Sequence, residues 1–390
     1  MLFDDKMKAY NSKGGLKMEF KKIKTALIGC GMISKIYLTN LKALDIIDLV
    51  GCSDIIDSRA EARAKEFGIK KMTNDEIYSD GEIELVINTT YPISHYKVAK
   101  ECLLAGKSVY TEKMICATLD EVNELVELAK QKNLFFGGAP DTYFGSGVQM
   151  ARKIIDSGMI GAPVMAQAFL SRSYHHERYY VGEEKRFAFC KNGGILFDMG
   201  AYYLTVLVFL LGSIKSVTGY SAIRNPDRVY ENPKSPLYGE KMTVESTNVS
   251  TGSLLFENGA MGNITMLSES APQNHFFIYC TDGFIDLGDP NEYDKTIRIV
   301  NKRGEESIIN STFGIDGGNR RGYGAAEAMY AKIAGREARC SGELCRHVLE
   351  AALGIAQSSE NGKTYVMTTK ANRPEPFEQG FTENAELSLK

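Results

Sequence analysis

The sequence predicts a two-part protein: an α/β half built on a doubly wound parallel sheet, then an α+β half with a mostly antiparallel sheet. Three observations predict it. Between residues 24 and 137, short apolar segments alternate with helix-length amphipathic ones, as strand–helix–strand units require. The first apolar segment runs straight into Gly29-x-Gly31-x-x-Ser34 and then a helical pattern. After residue 140, strand-like runs follow one another through short turns, which builds antiparallel pairs. The boundaries follow as 21–140 and 141–390, and the polar stretch 1–20 reads as a disordered leader. A chain of 390 residues has the length for two domains and a sizeable core.

In order, strand Thr25–Ile28 precedes a helix from about Met32 to Asp45, with Ile33, Ile36, Tyr37, Leu41 and Leu44 on one face. Strand Ile47–Ser53 leads to a helix over Ser58–Phe67 that stops at Gly68. Leu85–Thr89 reads as a buried strand, and helix Ser94–Ala105 is closed by Gly106. Strand Ser108–Thr111, helix Leu119–Lys132 and strand Leu134–Gly137 complete the alternation. The second half opens with helix Ser146–Ser157, strand Ala162–Arg172 and helix Phe197–Leu211. Strands then fall at Ile214–Ser221, Ser246–Phe256, Ala260–Leu267, Phe276–Thr281, Phe284–Leu287 and Thr296–Val300. Helices at Tyr323–Ile333 and Glu343–Asn361 and a strand at Thr364–Met367 close the pattern. Asn225–Lys241, which holds three prolines, reads as a long surface loop.

Composition removes several classes of function. The net charge of −3, with Lys and Arg scattered, marks no nucleic-acid or anionic-membrane surface. The eight cysteines form no CxxC pair and no zinc spacing, so they read as reduced thiols of a cytoplasmic protein with no metal. The N-terminus has no secretory h-region, and the longest apolar run, Leu204–Leu211, is too short to cross a bilayer.

The glycine turn carries the first chemistry. Gly29 permits a tight strand-to-helix turn, and Gly31 lets the backbone approach a pyrophosphate seated on the helix N-terminus. Asp54 ends the second strand, 20 residues past Ser34, where its carboxylate can accept from ribose hydroxyls. A carboxylate there suits free 2′ and 3′ hydroxyls and repels a 2′-phosphate, which favours NAD over NADP; Arg59 is the one nearby residue that softens this.

With these residues aligned to three further blocks, the chain resembles the Gfo/Idh/MocA oxidoreductase family over about residues 22–370. Ala105-Gly106-Lys107-Ser108-Val109-Tyr110-Thr111-Glu112-Lys113 is similar to that family's AGKHVxxEKP segment, Gly193–Tyr202 to GGxxxDxGxH/Y, and Thr90–His95 to TPxxxH. Three departures stand out: Met114 for the proline after Glu-Lys, Ser34 for a Gly or Ala, and Tyr202 where inositol dehydrogenases carry histidine. Tyrosine there resembles the sugar-oxidising and dihydrodiol branches. The resemblance implies a Rossmann domain joined to a domain with a large open, mostly antiparallel sheet, and pairing of copies into a homodimer or homotetramer. It also implies cofactor contacts from Gly29, Gly31, Met32, Ile33, Asp54, Thr90, Tyr91, His95, Glu112 and Lys113, and catalysis by Lys113, Asp198 and Tyr202.

Elementary chemistry gives these last three a reason. Lys113 lies just past a strand's C-terminal edge, where open α/β sheets bind ligands. Asp198 and Tyr202 are four apart and on one helix share a face. A free tyrosine titrates near pH 10, and a neighbouring ammonium favours its phenolate, as a proton acceptor needs. Asp198 reads alternatively as a helix N-cap, and Tyr202 as a core tyrosine beside Tyr203. Arg172 ends, and His175 and His176 follow, a strand that approaches the cleft, and the three read as substrate contacts; His95, at the start of its helix near the cofactor, reads as hydrogen-bonded to cofactor or backbone, and His275 and His347 read as structural. The implied activity is NAD(P)-dependent hydride transfer on a sugar, an inositol-like polyol or a related cyclic alcohol. An NAD-dependent glycoside hydrolase with transient C3 oxidation is the alternative, and a non-catalytic NAD-binding regulator is disfavoured by Lys113.

Overall fold

The computed structural model describes residues 21–173, 193–293, 296–311, 314–315 and 318–377. Strands β1 (Ile23–Ile28), β2 (Ile47–Ser53), β3 (Lys70–Lys71), β4 (Leu85–Asn88), β5 (Ser108–Thr111) and β6 (Phe136–Gly138) form one parallel sheet in the order β3-β2-β1-β4-β5-β6. Thr25–Ile28 pair with Leu85–Asn88 on one side, and β1 pairs with β2 on the other. The order reverses at β1, so a crevice opens beyond the C-terminal ends of β1 and β4, where such sheets bind ligands. Every residue of β4 and β5 is buried, because helices cover both faces.

Those helices are α1 (Ser34–Lys42), α2 (Asp57–Phe67), α3 (Asn74–Ser79), α4 (Pro92–Leu104) and α5 (Leu119–Gln131). In α5 the Thr118 side chain accepts from the Glu121 N–H while Glu121 reaches back to the Thr118 N–H, which fixes the start that the sequence predicts at Leu119. β3 and α3 lie outside the predicted elements. They are two and six residues long and bury only Ile77, so their periodicity carries no signal.

The second half holds helices α6 (Ser146–Ser157), α7 (Ile195–Asp198), α8 (Gly200–Leu211), α9 (Tyr323–Ala334) and α10 (Gly342–Asn361). Its strands are β7 (Pro163–Ser171), β8 (Ile214–Ala222), β9 (Asp227–Val229), β10 (Lys241–Thr243), β11 (Val249–Phe256), β12 (Met261–Leu267), β13 (Gln273–Cys280), β14 (Gly283–Asp286), β15 (Ile297–Asn301), β16 (Glu306–Ile309) and β17 (Tyr365–Val366). Nine of them form a sheet in the order β16-β15-β14-β13-β7-β12-β11-β8-β17. All its pairs are antiparallel except β7 with β12, which run parallel with Met165 opposite Met261. The stretch expected to be a plain loop, 225–241, instead starts a two-stranded ribbon of β9 and β10, too short for alternation to be readable.

Helix α8 is apolar all round and buried along its whole length, packed among β7, β12, α6 and α10. Helix α10 joins the two halves. It packs on β6 of the first sheet and β8 of the second, and Ser341 at its start bridges to Gly137. Inside it, the His347 Nε2 accepts the Ile214 N–H at 2.9 Å and Nδ1 meets the Thr369 hydroxyl at 2.9 Å. Burial pushes the imidazole pKa down to about 4.

Candidate active site

A cleft of about 1080 Å³ runs along the crevice, from Gly29–Ile33 and Asp54 at one end to Lys113, Asp198, Tyr202 and Arg321 at the other. At the first end the backbone does the shaping. Gly29 has φ +103°, and a Cβ there would lie 2.6 Å from Thr89 C and Thr90 N. Gly31 is the converse case: a Cβ would meet nothing within 4 Å and would project into the space a ligand needs. The Cys30 and Ile56 N–H groups donate to Asp54 at 2.6 and 2.8 Å, one to each oxygen. A carboxylate has about four acceptor sites, so both oxygens keep capacity for hydroxyls. The Ser34 hydroxyl donates to Gly31 O at 2.6 Å and accepts from Arg63 Nε at 3.0 Å, so the departure from Gly or Ala ties the turn down. No side chain caps α1, so beyond the Ser34 N–H, which donates to Gly31 O at 3.3 Å, its first-turn N–H groups are left for an anion. These residues fit a dinucleotide: a glycine cradle, a bare helix N-terminus and an anchored carboxylate.

The other end is built from charged side chains. The Lys113 ammonium donates to the Asp198 carboxylate and to Asp198 O, the latter at 2.7 Å, and lies 5.2 Å over the Tyr202 ring. Burial alone would lower the lysine pKa, but Asp198, Tyr202 and Glu112 outweigh it and hold it above the ordinary value. Lys113 is therefore cationic at neutral pH. Glu112 is buried and accepts from Tyr37 OH at 2.6 Å and from the Lys113 N–H at 2.9 Å. The Lys113–Met114 peptide is cis, and Met114 O meets His95 Nδ1 at 2.7 Å.

Asp198 and Tyr202 do not share one continuous helix. Asp198 is the last residue of α7, Met199 breaks the run, and Tyr202 lies in the first turn of α8. The break turns both Asp198 acceptors, backbone and side chain, toward Lys113. Asp198 is therefore not the N-cap of a helix, and Met199 at that position of α8 makes no side-chain cap bond. Lys113 sits on the Tyr202 ring face, while the hydroxyl meets Arg321 Nη2 at 3.5 Å.

Gly29, Gly31, Met32, Ile33, Asp54, Thr90, Tyr91, Glu112, Lys113, Asp198, Tyr202 and Arg172 all line the cleft, and Arg59 does too. His95 does not. It is fully buried, with Nδ1 on Met114 O and Nε2 on Thr90 O at 3.0 Å, so it braces the cleft from behind. The signal was available, because His95, Val98, Ala99 and Cys102 lie on one buried face of α4 at helical spacing. His175 and His176 lie outside the described residues. His275 stacks on Phe169, with ring centroids 4.9 Å apart.

Sequence reasoning missed Arg321 and Asn291, whose side chains line the cleft and hydrogen-bond to each other. It also missed Asp141, fully buried, which holds the Arg321 segment. Asp141 accepts the Gly322 and Gly324 N–H groups at 2.9 Å each and the Tyr293 hydroxyl at 2.5 Å, while Asn40 in α1 donates to Arg321 O at 2.8 Å. Among the described residues, no group of three or more His, Cys, Asp or Glu could hold a metal.

Comparison with known proteins places this geometry. Residues 23–137 match the oxidoreductase family, NAD-binding Rossmann fold, and residues 148–286 the GFO/IDH/MocA C-terminal domain. An oxidoreductase of Schizosaccharomyces pombe is 30% identical over 50% of this chain and 53% of its own; the chain thus spans about half the length of such relatives. The scyllo-inositol 2-dehydrogenase (NAD(+)) of Bacillus subtilis is 25% identical over 68% of this chain and 74% of its own. Levoglucosan dehydrogenase in complex with NADH shares the fold, with a TM-score of 0.78 and 18% identity over 90% of this chain and all of that one.

Proposed function

The chain belongs to the GFO/IDH/MocA oxidoreductase family, and from that premise we propose that it is an NAD-dependent dehydrogenase or reductase acting on a sugar, an inositol-like polyol or a related cyclic alcohol. One observation carries the reading: Lys113, paired with Asp198 and lying over Tyr202, stands at the far end of the cleft that starts at the Gly29–Gly31 turn. Bound NAD would supply the hydride acceptor. Gly29, Gly31, Met32, Ile33 and Asp54 would hold it, with Thr90, Tyr91 and Glu112 along the cleft wall. Asp54 supports NAD over NADP, because its fixed carboxylate would repel a 2′-phosphate.

The chain's own residues divide the remaining work. Tyr202 Oη takes the carbinol proton in oxidation and returns it in reduction, flanked by the Lys113 and Arg321 cations. Lys113 polarises the substrate oxygen and is aimed by Asp198. Residues 21–140 hold the cofactor in this reading, and residues 141–390 hold the substrate and the contacts of a homodimer or homotetramer. The cytoplasmic setting is supported by described cysteines that are all free thiols. Among the described residues, no helix is long and apolar enough to cross a membrane.

The test is incubation with NAD and a panel of sugars, polyols and aryl glycosides, following absorbance at 340 nm and aglycone release. Steady NADH formation is expected. Aglycone release without net NADH would replace the dehydrogenase by the glycoside hydrolase, and silence with tight NAD binding would leave only a regulator.

A further inference from the structure

The reacting end of the cleft holds a half-buried guanidinium whose hydrogen-bonding capacity the protein leaves largely unused. Arg321 has five N–H donors, yet its side-chain bonds all leave from one nitrogen, Nη2, to Asn291 Oδ1 and to Tyr202 Oη at 3.5 Å. Among the described residues, Nε and Nη1 find no acceptor, and no carboxylate forms an ion pair with this side chain. The nearby acids are engaged elsewhere: Glu112 with Tyr37 and the Lys113 N–H, Asp141 with Tyr293, Gly322 and Gly324, and Asp198 with Lys113. A second guanidinium, Arg172, lines the same cleft, with Nη1 3.4 Å from Met199 Sδ, next to Asp198.

Glu112 and Asp141 act on this guanidinium only through space, so most of its donors stay unpaired among the described residues, and a ligand that brings a carboxylate into direct contact satisfies them. The planar fork of a guanidinium matches the two oxygens of a carboxylate. We infer that Arg321, with Arg172 on the same cleft, receives a carboxylate of the substrate, so that the site takes a sugar acid or polyhydroxy acid in preference to the neutral polyol. The inference rests on the proposed dehydrogenase reading and narrows its substrate class. Asp141 and Asn40 are positioning residues here, since they fix the backbone on either side of Arg321.

Calorimetric binding to the NADH-loaded protein, which cannot oxidise an alcohol, tests this without turnover. The probes are two matched pairs, D-glucuronate against D-glucose and tartrate against threitol, with D-glucose 6-phosphate as a third anion. The acid of each pair is expected to bind at least about 10-fold more tightly, as one recovered charge-assisted contact would give. Arg321→Gln should erase that margin and Arg321→Lys keep part of it, with NAD affinity unchanged in both as the sign of an intact fold. Equal binding within pairs, no binding of either acid, or a margin that survives Arg321→Gln would each overturn the inference. Preference for the phosphate over glucuronate would overturn the carboxylate assignment. Should the acids bind as expected while neither they nor the panel of sugars and polyols yields NADH from NAD, the dehydrogenase reading fails and the anion site stands.

Discussion

At the glycine-turn end of the cleft the partners are near neighbours in sequence: Cys30 reaches Asp54 across 24 residues, and Ser34 reaches Gly31 across three. At the other end Lys113 meets Asp198 across 85 residues, and Arg321 meets Tyr202 across 119. The first end is shaped by backbone, through a left-handed glycine, a bare helix start and two N–H groups on one carboxylate. The second is an arrangement of charges on four separate segments. On the proposed function, the contrast makes holding the dinucleotide a local property of one strand–helix–strand unit, β1–α1–β2, whereas the chemistry depends on the second half docking correctly onto the first. Substitutions should therefore separate cofactor affinity from turnover according to the end they touch.

The broadest effect, on stability and cofactor binding at once, is expected at Gly29. An alanine there needs φ +103° and puts its Cβ 2.6 Å from two Thr89–Thr90 backbone atoms, which is backbone against backbone and cannot yield cheaply. Stability and NAD binding should fall together by about 3 kcal/mol or more, near 100-fold in binding. Gly31→Ala, whose Cβ meets no protein atom, should keep the melting temperature and lose only NAD affinity. If the two variants behave alike by calorimetry and thermal melting, the local, backbone-built picture of this end is wrong.

Next comes Tyr202→Phe, which removes the proposed proton acceptor and nothing from the glycine turn. Here kcat should drop about 10²–10⁴-fold while the NAD dissociation constant stays put. A loss confined to KM would remove Tyr202 from proton transfer.

Acid should couple the two ends again, because α10 packs on both sheets and His347 ties it to the start of β8. The folded His347 titrates at about 4 against an ordinary 6.5, so it is neutral when folded and protonated when unfolded between those values. The unfolded state then binds more protons, and stability is lost as pH falls from about 6.5 toward 4, by roughly 3 kcal/mol in all. Chemical denaturation across that range should show the loss, and His347→Gln, which keeps one donor and one acceptor, should flatten it. An unchanged slope in the variant would assign the acid loss to another group. The smallest effect is expected at Asp54→Ala: about 10-fold weaker NAD binding and reduced discrimination against NADP, read by titration with both cofactors.

The same contrast explains what the sequence made legible. That Gly29, Gly31 and Asp54 line the cleft was legible because they belong to a local strand–helix–strand pattern, and Lys113 because it lies just past the end of a strand of that same sheet. Arg321 and Asn291 could not, since nothing near them in the chain says that Asp141 and Asn40 draw the 319–324 segment onto the first sheet. Asp198 and Tyr202 were readable as partners of Lys113, but the break at Met199 that aims Asp198 was not, because Gly-Ala-Tyr-Tyr reads on as one helix. For His95 the sequence leaves cofactor or backbone open as its partner, and the structure gives backbone, Met114 O and Thr90 O, in keeping with a helical periodicity that places it with Val98, Ala99 and Cys102.

Single-turnover NADH formation by Lys113→Ala, measured beside direct NAD titration, tests the central claim most directly. The account predicts NAD binding within a few-fold of the parent and hydride transfer lowered by about 10²–10⁴-fold on whichever substrate the parent oxidises. Parent-like hydride transfer in that variant would contradict it and remove Lys113, with the Asp198 pair built around it, from the chemistry.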